Sequence, residues 1–498
     1  IYHMFYQYCT TLEEDQMQKH WGHATSKDLV FWEEQDVALS PDEFGSIWSG
    51  SCVIDENNTS GLFGDETPPK SRMVALFTYA GGDTELGFEK QGLAYSTDFG
   101  KSFVKYKEPV IKNGNNEYSD GFRDPKVIWH EDSRTWLMVI GGGPVRLFAS
   151  KNLVDWEFNS ILKYKDGSNI VSECPDFFPM KVENRDETKW VFLGAGRFYV
   201  TGDLTVDEQG KFHFKATSDR QTFVSDNTPM YAAQTFFNDS KDRRIAIYWL
   251  IDLFSKTIDS GMGKIWDGVQ SLPLELKLFN MDGNYVIKAN PVEEVAKLRI
   301  AELFSLNNVF VGENDENILN EVRGRVLEIE AVVDVSNAGR VNVVFGKGND
   351  ERTVLSYNAR TQNLALVFKD SGISSDTISV KVPVDDGKIK LRIIVDNTVV
   401  DVFANDGLKV LSGHFYSSGS NDGLEFSVEN GSAEIEYLKI FELTSIWDKP
   451  QVDEKQEKKY KNKGLETLDY ILIVAALTFA VCITIITIAI RMKRKEGA

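Results

Sequence analysis

Ser172-Glu173-Cys174-Pro175-Asp176-Phe177-Phe178 sets one carboxyl beside a thiol, a proline and two aromatic rings. Burial among apolar side chains disfavours a charged carboxylate, so a raised pKa is expected at Glu173. A carboxyl that stays protonated near neutral pH is what a general acid needs. Forty-nine residues earlier, Gly121-Phe122-Arg123-Asp124-Pro125-Lys126-Val127 offers a second acid, with an arginine placed to keep Asp124 ionised. Two carboxyls in contrasting settings suit the cleavage of a glycosidic bond. The same residues also fit a buried Glu–Arg pair in a core and a turn Asp before a proline, since structural ion pairs perturb pKa values as well. Local chemistry leaves both readings open.

The elements that would position these groups are strands. Residues 1 to 295 show short, apolar, aromatic-rich runs broken by Gly, Asp, Asn and Pro; Met73 to Tyr79, Trp136 to Ile140, Trp190 to Leu193 and Ile245 to Ile251 are examples. Helical periodicity is scarce, which makes this a β region. It also repeats. Ser26-Lys27-Asp28-Leu29-Val30-Phe31-Trp32 returns as Ser150-Lys151-Asn152-Leu153-Val154-Asp155-Trp156, with a looser copy at Ser96-Thr97-Asp98-Phe99-Gly100-Lys101-Ser102-Phe103. Each copy is a Ser-x-Asp/Asn turn leading to an aromatic that can pin a strand pair. The spacing of 70 and 54 residues is about one four-stranded blade with its loops, and predicts a β-propeller. From 300 to 445, runs such as Arg325 to Val333 and Val399 to Phe403 alternate apolar with polar residues and predict a β-sandwich. Val292 to Leu298 reads as a short helical link between the two regions.

Composition narrows the chemistry. The 498 residues are 42% hydrophobic and 26% charged, enough for two or three well-cored domains. A formal charge of −20 argues against nucleic-acid binding, which needs phosphate neutralisation, and favours neutral substrates. Cys9, Cys52 and Cys174 are widely spaced and Cys482 lies in an apolar tail, so no disulfide framework or CxxC metal site is expected. His20 and His23 lie close together without an evident third ligand, and Gly141-Gly142-Gly143 before Pro144 reads as a turn, not a phosphate loop.

Residues 446 to 469 form a charged stalk, and 470 to 490 predict a single transmembrane helix, uncharged from Ile471 to Ile490 and about 30 Å long. The basic tail 491 to 498, with Arg491, Lys493, Arg494 and Lys495, places the C-terminus in the cytoplasm and the rest outside the cell or in a lumen. The sequons at Asn57, Asn58, Asn238 and Asn430 would then be open to glycosylation.

Seven motifs, in order from residue 1 to about 445, resemble the invertase-like glycoside hydrolases, the β-fructofuranosidases of glycoside hydrolase family 32. They are Tyr2-His3-Met4-Phe5-Tyr6-Gln7-Tyr8, His20-Trp21-Gly22-His23-Ala24, Trp48-Ser49-Gly50-Ser51, Arg123-Asp124-Pro125, Glu173-Cys174-Pro175, Tyr231-Ala232-Ala233-Gln234-Thr235-Phe236 and Trp266-Asp267-Gly268. The resemblance implies a five-bladed propeller followed by a β-sandwich, and hydrolysis of terminal fructosyl units of sucrose or fructans with retention, without a cofactor. It implies that Glu173 is the general acid/base and Asp124 the transition-state stabiliser, that Arg123 holds the sugar, and that Gln7, Trp48 and Ser49 line the fructosyl pocket. The family's nucleophile is an Asp in a motif expected shortly before Ile1; no Asp of this sequence matches it, the first blade is expected to be incomplete, and the chain as it stands is expected not to turn over substrate. Cys9 to Lys19 also departs from the family pattern, which bears on leaving-group recognition. Two other classes stay open: a membrane-anchored fructoside-binding receptor, and a different propeller glycosidase such as a sialidase, for which no Arg cluster is evident.

Overall fold

The computed structural model describes residues 1–9, 18–114, 117–118, 121–225, 227–251, 268–370, 377–417 and 419–447. Up to Pro291 the chain winds through five successive antiparallel sheets. The first holds three strands (Tyr2–Cys9, Lys19–Ser26, Trp32–Leu39). The second opens with Ser46–Ile54, the third with Arg123–His130, the fourth with Pro175–Lys181 and the fifth with Met230–Thr235. In each of these four the next strand in sequence pairs with the opening one: Met73–Ala80, Thr135–Gly141, Thr188–Gly194 and Arg244–Leu250. These second strands contain the four apolar runs visible in the sequence. Their side chains are buried on both faces along most of their length because neighbouring sheets cover them, so they read as continuous apolar runs and do not alternate.

The repeated turns occupy equivalent places, each leading into the last strand of its sheet. Asp28 Oδ1 accepts the backbone N–H groups of Val30 and Phe31, and the Trp32 indole donates to the Leu29 carbonyl at 2.9 Å. Asn152 repeats this with Val154 and Asp155, and Trp156 donates to Leu153 at 2.7 Å. Leu29, Phe99 and Leu153 all take the left-handed conformation, φ 66°, 62° and 63°. The turn therefore fixes Trp32 and Trp156 against their own turn backbone.

Contacts between the sheets close on themselves. Trp21 meets Phe77 edge-on between the first and second sheets, and Ser51 Oγ donates to the Pro125 carbonyl between the second and third. His130 packs on Trp190 between the third and fourth, and Tyr199 Oη accepts the Ile287 N–H between the fourth and fifth. Tyr2 Oη donates to Asp239 at 2.6 Å and Trp32 stacks on Phe236, which joins the fifth sheet to the first.

A short 3-10 helix, Glu293–Leu298, follows at the place read as a helical link. Beyond it a six-stranded and a five-stranded antiparallel sheet enclose a second core, with Ile329, Ile393 and Ile440 from one face and Phe345, Leu366 and Phe426 from the other. Val410 N–H donates to the Phe223 carbonyl and Ala289 N–H to Gly407, so this sandwich is seated against the fourth and fifth sheets. The expected stalk, membrane span and basic tail lie outside the described residues, except Ile446 and Trp447. Among the described residues no helix is long and apolar enough to cross a membrane.

Candidate active site

The opening strands of four sheets all break at, or just before, their N-terminal ends. The pairing register shifts between Ile47 and Gly50 in the second sheet, between Arg123 and Lys126 in the third, and between Tyr231 and Gln234 in the fifth. In the fourth, regular pairing starts at Pro175, immediately after Glu173 and Cys174. A bulge lets a strand re-aim a side chain that pleating would otherwise turn into a neighbouring sheet. Asp124, Cys174 and Ala232 sit at these breaks with φ of 63°, 41° and 52°. Left-handed backbone in residues with a Cβ costs about 1–3 kcal/mol each, so the surrounding structure must hold it in place.

These breaks bring the sequence candidates into one line of contacts that crosses all five sheets. The Gln7 amide donates to the Ile47 carbonyl at 3.2 Å. The Trp21 indole donates to the carbonyl of Trp48, whose ring meets Phe88 edge-on. Beside Phe88, the buried Glu89 accepts the Phe122 N–H at 2.5 Å and the Arg123 guanidinium at 2.9 Å. Arg123 turns its other amino group to Glu173 Oε1, and Tyr231 donates its hydroxyl to Glu173 Oε2 at 2.5 Å. The guanidinium of Arg197 lies 4.7 Å over the Tyr231 ring. Asp124 is buried beside this line: its Oδ2 accepts the Cys174 N–H at 2.9 Å, and its own N–H donates to Thr78 Oγ1. Ser49 shares the bulge of Trp48.

The electrostatics reverse the sequence expectation. Glu173 is held below the ordinary carboxylate range, first by the Tyr231 hydroxyl and then by Arg123, with burial a weaker opposing influence. Its side chain is 43% exposed, so the apolar neighbours in sequence do not enclose it. Asp124 goes the other way: burial raises it, and the Cys174 N–H and Arg123 offset this only in part. Arg123 forms its ion pairs with Glu89 and Glu173 and acts on Asp124 through its charge alone. Burial, followed by the nearby Asp124 carboxylate, also raises the Cys174 thiol, which marks it as an inert thiol.

A half-exposed carboxyl, a buried carboxyl and a cation are thus grouped where these opening strands break. Family models match this chain across both of its regions: the glycosyl hydrolases family 32 N-terminal domain over residues 1–290, and the family's C-terminal domain over residues 294–442. The chain belongs to glycoside hydrolase family 32.

Among curated family 32 relatives, a levanase of Bacillus subtilis (strain 168) is 34% identical over 477 residues, covering 90% of this chain and 67% of that protein. A levanase of Bacillus sp. (strain L7) is 32% identical over 465 residues, covering 87% of this chain. The chain spans only 49% of the length of that second relative. Among solved structures, an exo-inulinase from Aspergillus awamori superposes with a TM-score of 0.76 at 24% identity, covering 90% of this chain and 94% of that one, and so shares the fold. The all-β architecture with a C-terminal β-sandwich is thus that of the family.

Sequence reasoning left Glu89 and Tyr231 without roles. Tyr231 lies inside a recognised family motif, and that was the available signal. Glu89 carried none: it stands 34 residues from its Arg123 partner, and only the meeting of the second and third sheets joins them. Trp266 and Asp267 of the last motif lie outside the described residues.

Proposed function

We propose that this family 32 protein is a retaining glycoside hydrolase that removes terminal β-D-fructofuranosyl units from sucrose or fructans. The observation that carries this reading is Glu173, half-exposed and gripped by Arg123 and Tyr231, beside the buried carboxyl of Asp124. Glu173 donates a proton to the leaving oxygen, and as a carboxylate it then activates the incoming water. Asp124 binds the fructose hydroxyls, with charge developing on the ring as the bond breaks; burial strengthens that interaction. Arg123 leaves Glu173 for the sugar, and the loss of water and cation together raises the Glu173 pKa toward that of a working acid. Gln7, Trp48 and Ser49 form the wall on the first and second sheets. The nucleophile is assigned to no residue of this sequence. The likeness to levanases supports fructan as well as sucrose among the substrates. We read the closed cycle of five sheets as a five-bladed propeller, and residues 470 to 490 as the membrane anchor of an outward-facing protein.

Fructose release from sucrose, levan and inulin, measured on the native, full-length protein in isolated membranes, should fall to background in Glu173→Gln. If the parent releases no fructose, the hydrolase reading fails. A second reading is a receptor that binds fructosides without cleaving them; calorimetric binding of fructose without turnover supports it. Resistance of the protein to alkaline extraction from those membranes, lost on deleting residues 470–490, tests the anchor.

A further inference from the structure

Behind the site, the opening strands of the third, fourth and fifth sheets are joined by one buried ion pair. Lys126 Nζ lies 3.1 Å from Asp176 Oδ2, with side chains 8% and 0% exposed. Lys126 also donates to the Thr235 carbonyl at 2.5 Å, and Asp176 Oδ2 accepts the Thr235 N–H at 2.8 Å. The second oxygen of Asp176 accepts the Phe177 N–H at 2.9 Å. Gln234 reaches from the fifth sheet to the Pro175 carbonyl at 3.3 Å. Arg244 adds a further charge at this cluster: it donates to Thr235 Oγ1 at 3.3 Å, lies over the Phe178 ring and feels the Asp242 carboxylate.

Stability alone does not call for such a pair. Desolvating two charges costs several kcal/mol per ion, and apolar residues of similar volume often serve as well or better. What a buried ion pair supplies in exchange is direction: both charges have one geometry in which every donor and acceptor is matched. Its placement in the sequence gives that geometry a use. Lys126 is the residue at which regular pairing resumes after the Asp124 bulge, and Asp176 lies three residues after Glu173. We infer that Lys126 and Asp176 are positioning residues, whose ion pair, with Thr235, sets the separation of the two strands carrying Asp124 and Glu173. The bond from Cys174 N–H to Asp124 Oδ2 spans the same gap on the site side and reports on that separation.

The inference rests on the fructosidase reading for its kinetic test, and a second readout is independent of activity. Lys126→Met keeps the length of the side chain and leaves Asp176 with its two backbone donors and the Arg244 cation, so the buried carboxylate is not left without a counter-charge. Asp176→Asn keeps one acceptor oxygen, but its amide nitrogen cannot accept the second backbone N–H, and Lys126 loses its counter-charge. In the whole protein, both variants should lower kcat for fructose release by about 100-fold, the scale of a misplaced reacting group, while KM changes much less. In protein labelled with 15N-cysteine, the Cys174 amide resonance should move and its hydrogen exchange should quicken. A fall in Tm with kcat within about twofold of the parent and an unmoved Cys174 amide would mean a purely structural pair, and would overturn the inference. If the parent itself releases no fructose, the hydrolase reading fails on its own, and the Cys174 amide still decides this one.

Discussion

Glu173 and Tyr231 share one proton donor and two acceptor oxygens, and the pH behaviour of the site follows from that sharing. In the free protein the Tyr231 hydroxyl is the largest influence lowering Glu173, ahead of Arg123. A general acid works only while protonated, so kcat/KM, which reports on the free enzyme, should decline as pH rises through this depressed pKa. Tyr231→Phe removes the largest lowering influence and leaves the ring that Arg197 covers. The basic limb of the kcat/KM profile should therefore move to higher pH in this variant, with Arg123 still holding it below an unperturbed glutamate. A limb that stays in place, or moves to lower pH, would show that Glu173 is not the titrating acid. This sign could not be read from the sequence. Counting the apolar neighbours of Glu173 along the chain gave a raised pKa, because those neighbours point into the sheets while the carboxyl points out. Its two controlling partners stand 50 and 58 residues away.

The strands are where the sequence was most legible, and the breaks in them least. Four apolar runs marked the second strands of four sheets, and the Ser-x-Asp/Asn turns marked the entries to last strands, because burial on both faces and turn chemistry are local properties. Bulges are not local, since they depend on what the neighbouring strand allows. Gly50 shows the constraint. A Cβ there would stand 2.0 Å from the Leu76 carbonyl oxygen and 2.6 Å from the Phe77 Cα, so the strand Ser46–Ile54 approaches its partner too closely for any side chain. This is the residue at which pairing resumes after Trp48 and Ser49. Gly50→Ala should push the two strands apart, cost about 1–3 kcal/mol as an overpacked site, and displace Trp48 and Ser49 together. The expected result is a lower Tm with KM for sucrose raised about tenfold, a single binding contact's worth. A lowered Tm with KM unchanged would remove Trp48 and Ser49 from the fructosyl pocket.

A ring of sheets must be closed, and here the closure is polar. Tyr2 on the first sheet and Arg243 on the fifth both donate to Asp239, and Arg243 also donates to Glu294 at 3.0 Å, just beyond the fifth sheet. The Asp239 and Arg243 side chains are 0% and 8% exposed. Burial opposes the charge on Asp239, but the Arg243 guanidinium and the Tyr2 hydroxyl outweigh it and hold the carboxyl at about 2, against an ordinary 3.8. A carboxyl depressed on folding adds stability that is complete above its unfolded pKa and is lost as pH falls through its folded one. The contribution of this junction is therefore present above pH 3.8 and disappears as the pH approaches 2. Asp239→Asn leaves Arg243 short of a buried partner and should cost about 3 kcal/mol at neutral pH, near the lower end for a broken buried pair. The variant should also lose less stability than the parent between pH 5 and pH 2.5, since it has no carboxylate there to protonate. Thermal unfolding of both proteins across that range reads the two effects together. Equal acid slopes would place the acid sensitivity of the molecule elsewhere and leave ring closure to the apolar contact of Trp32 with Phe236.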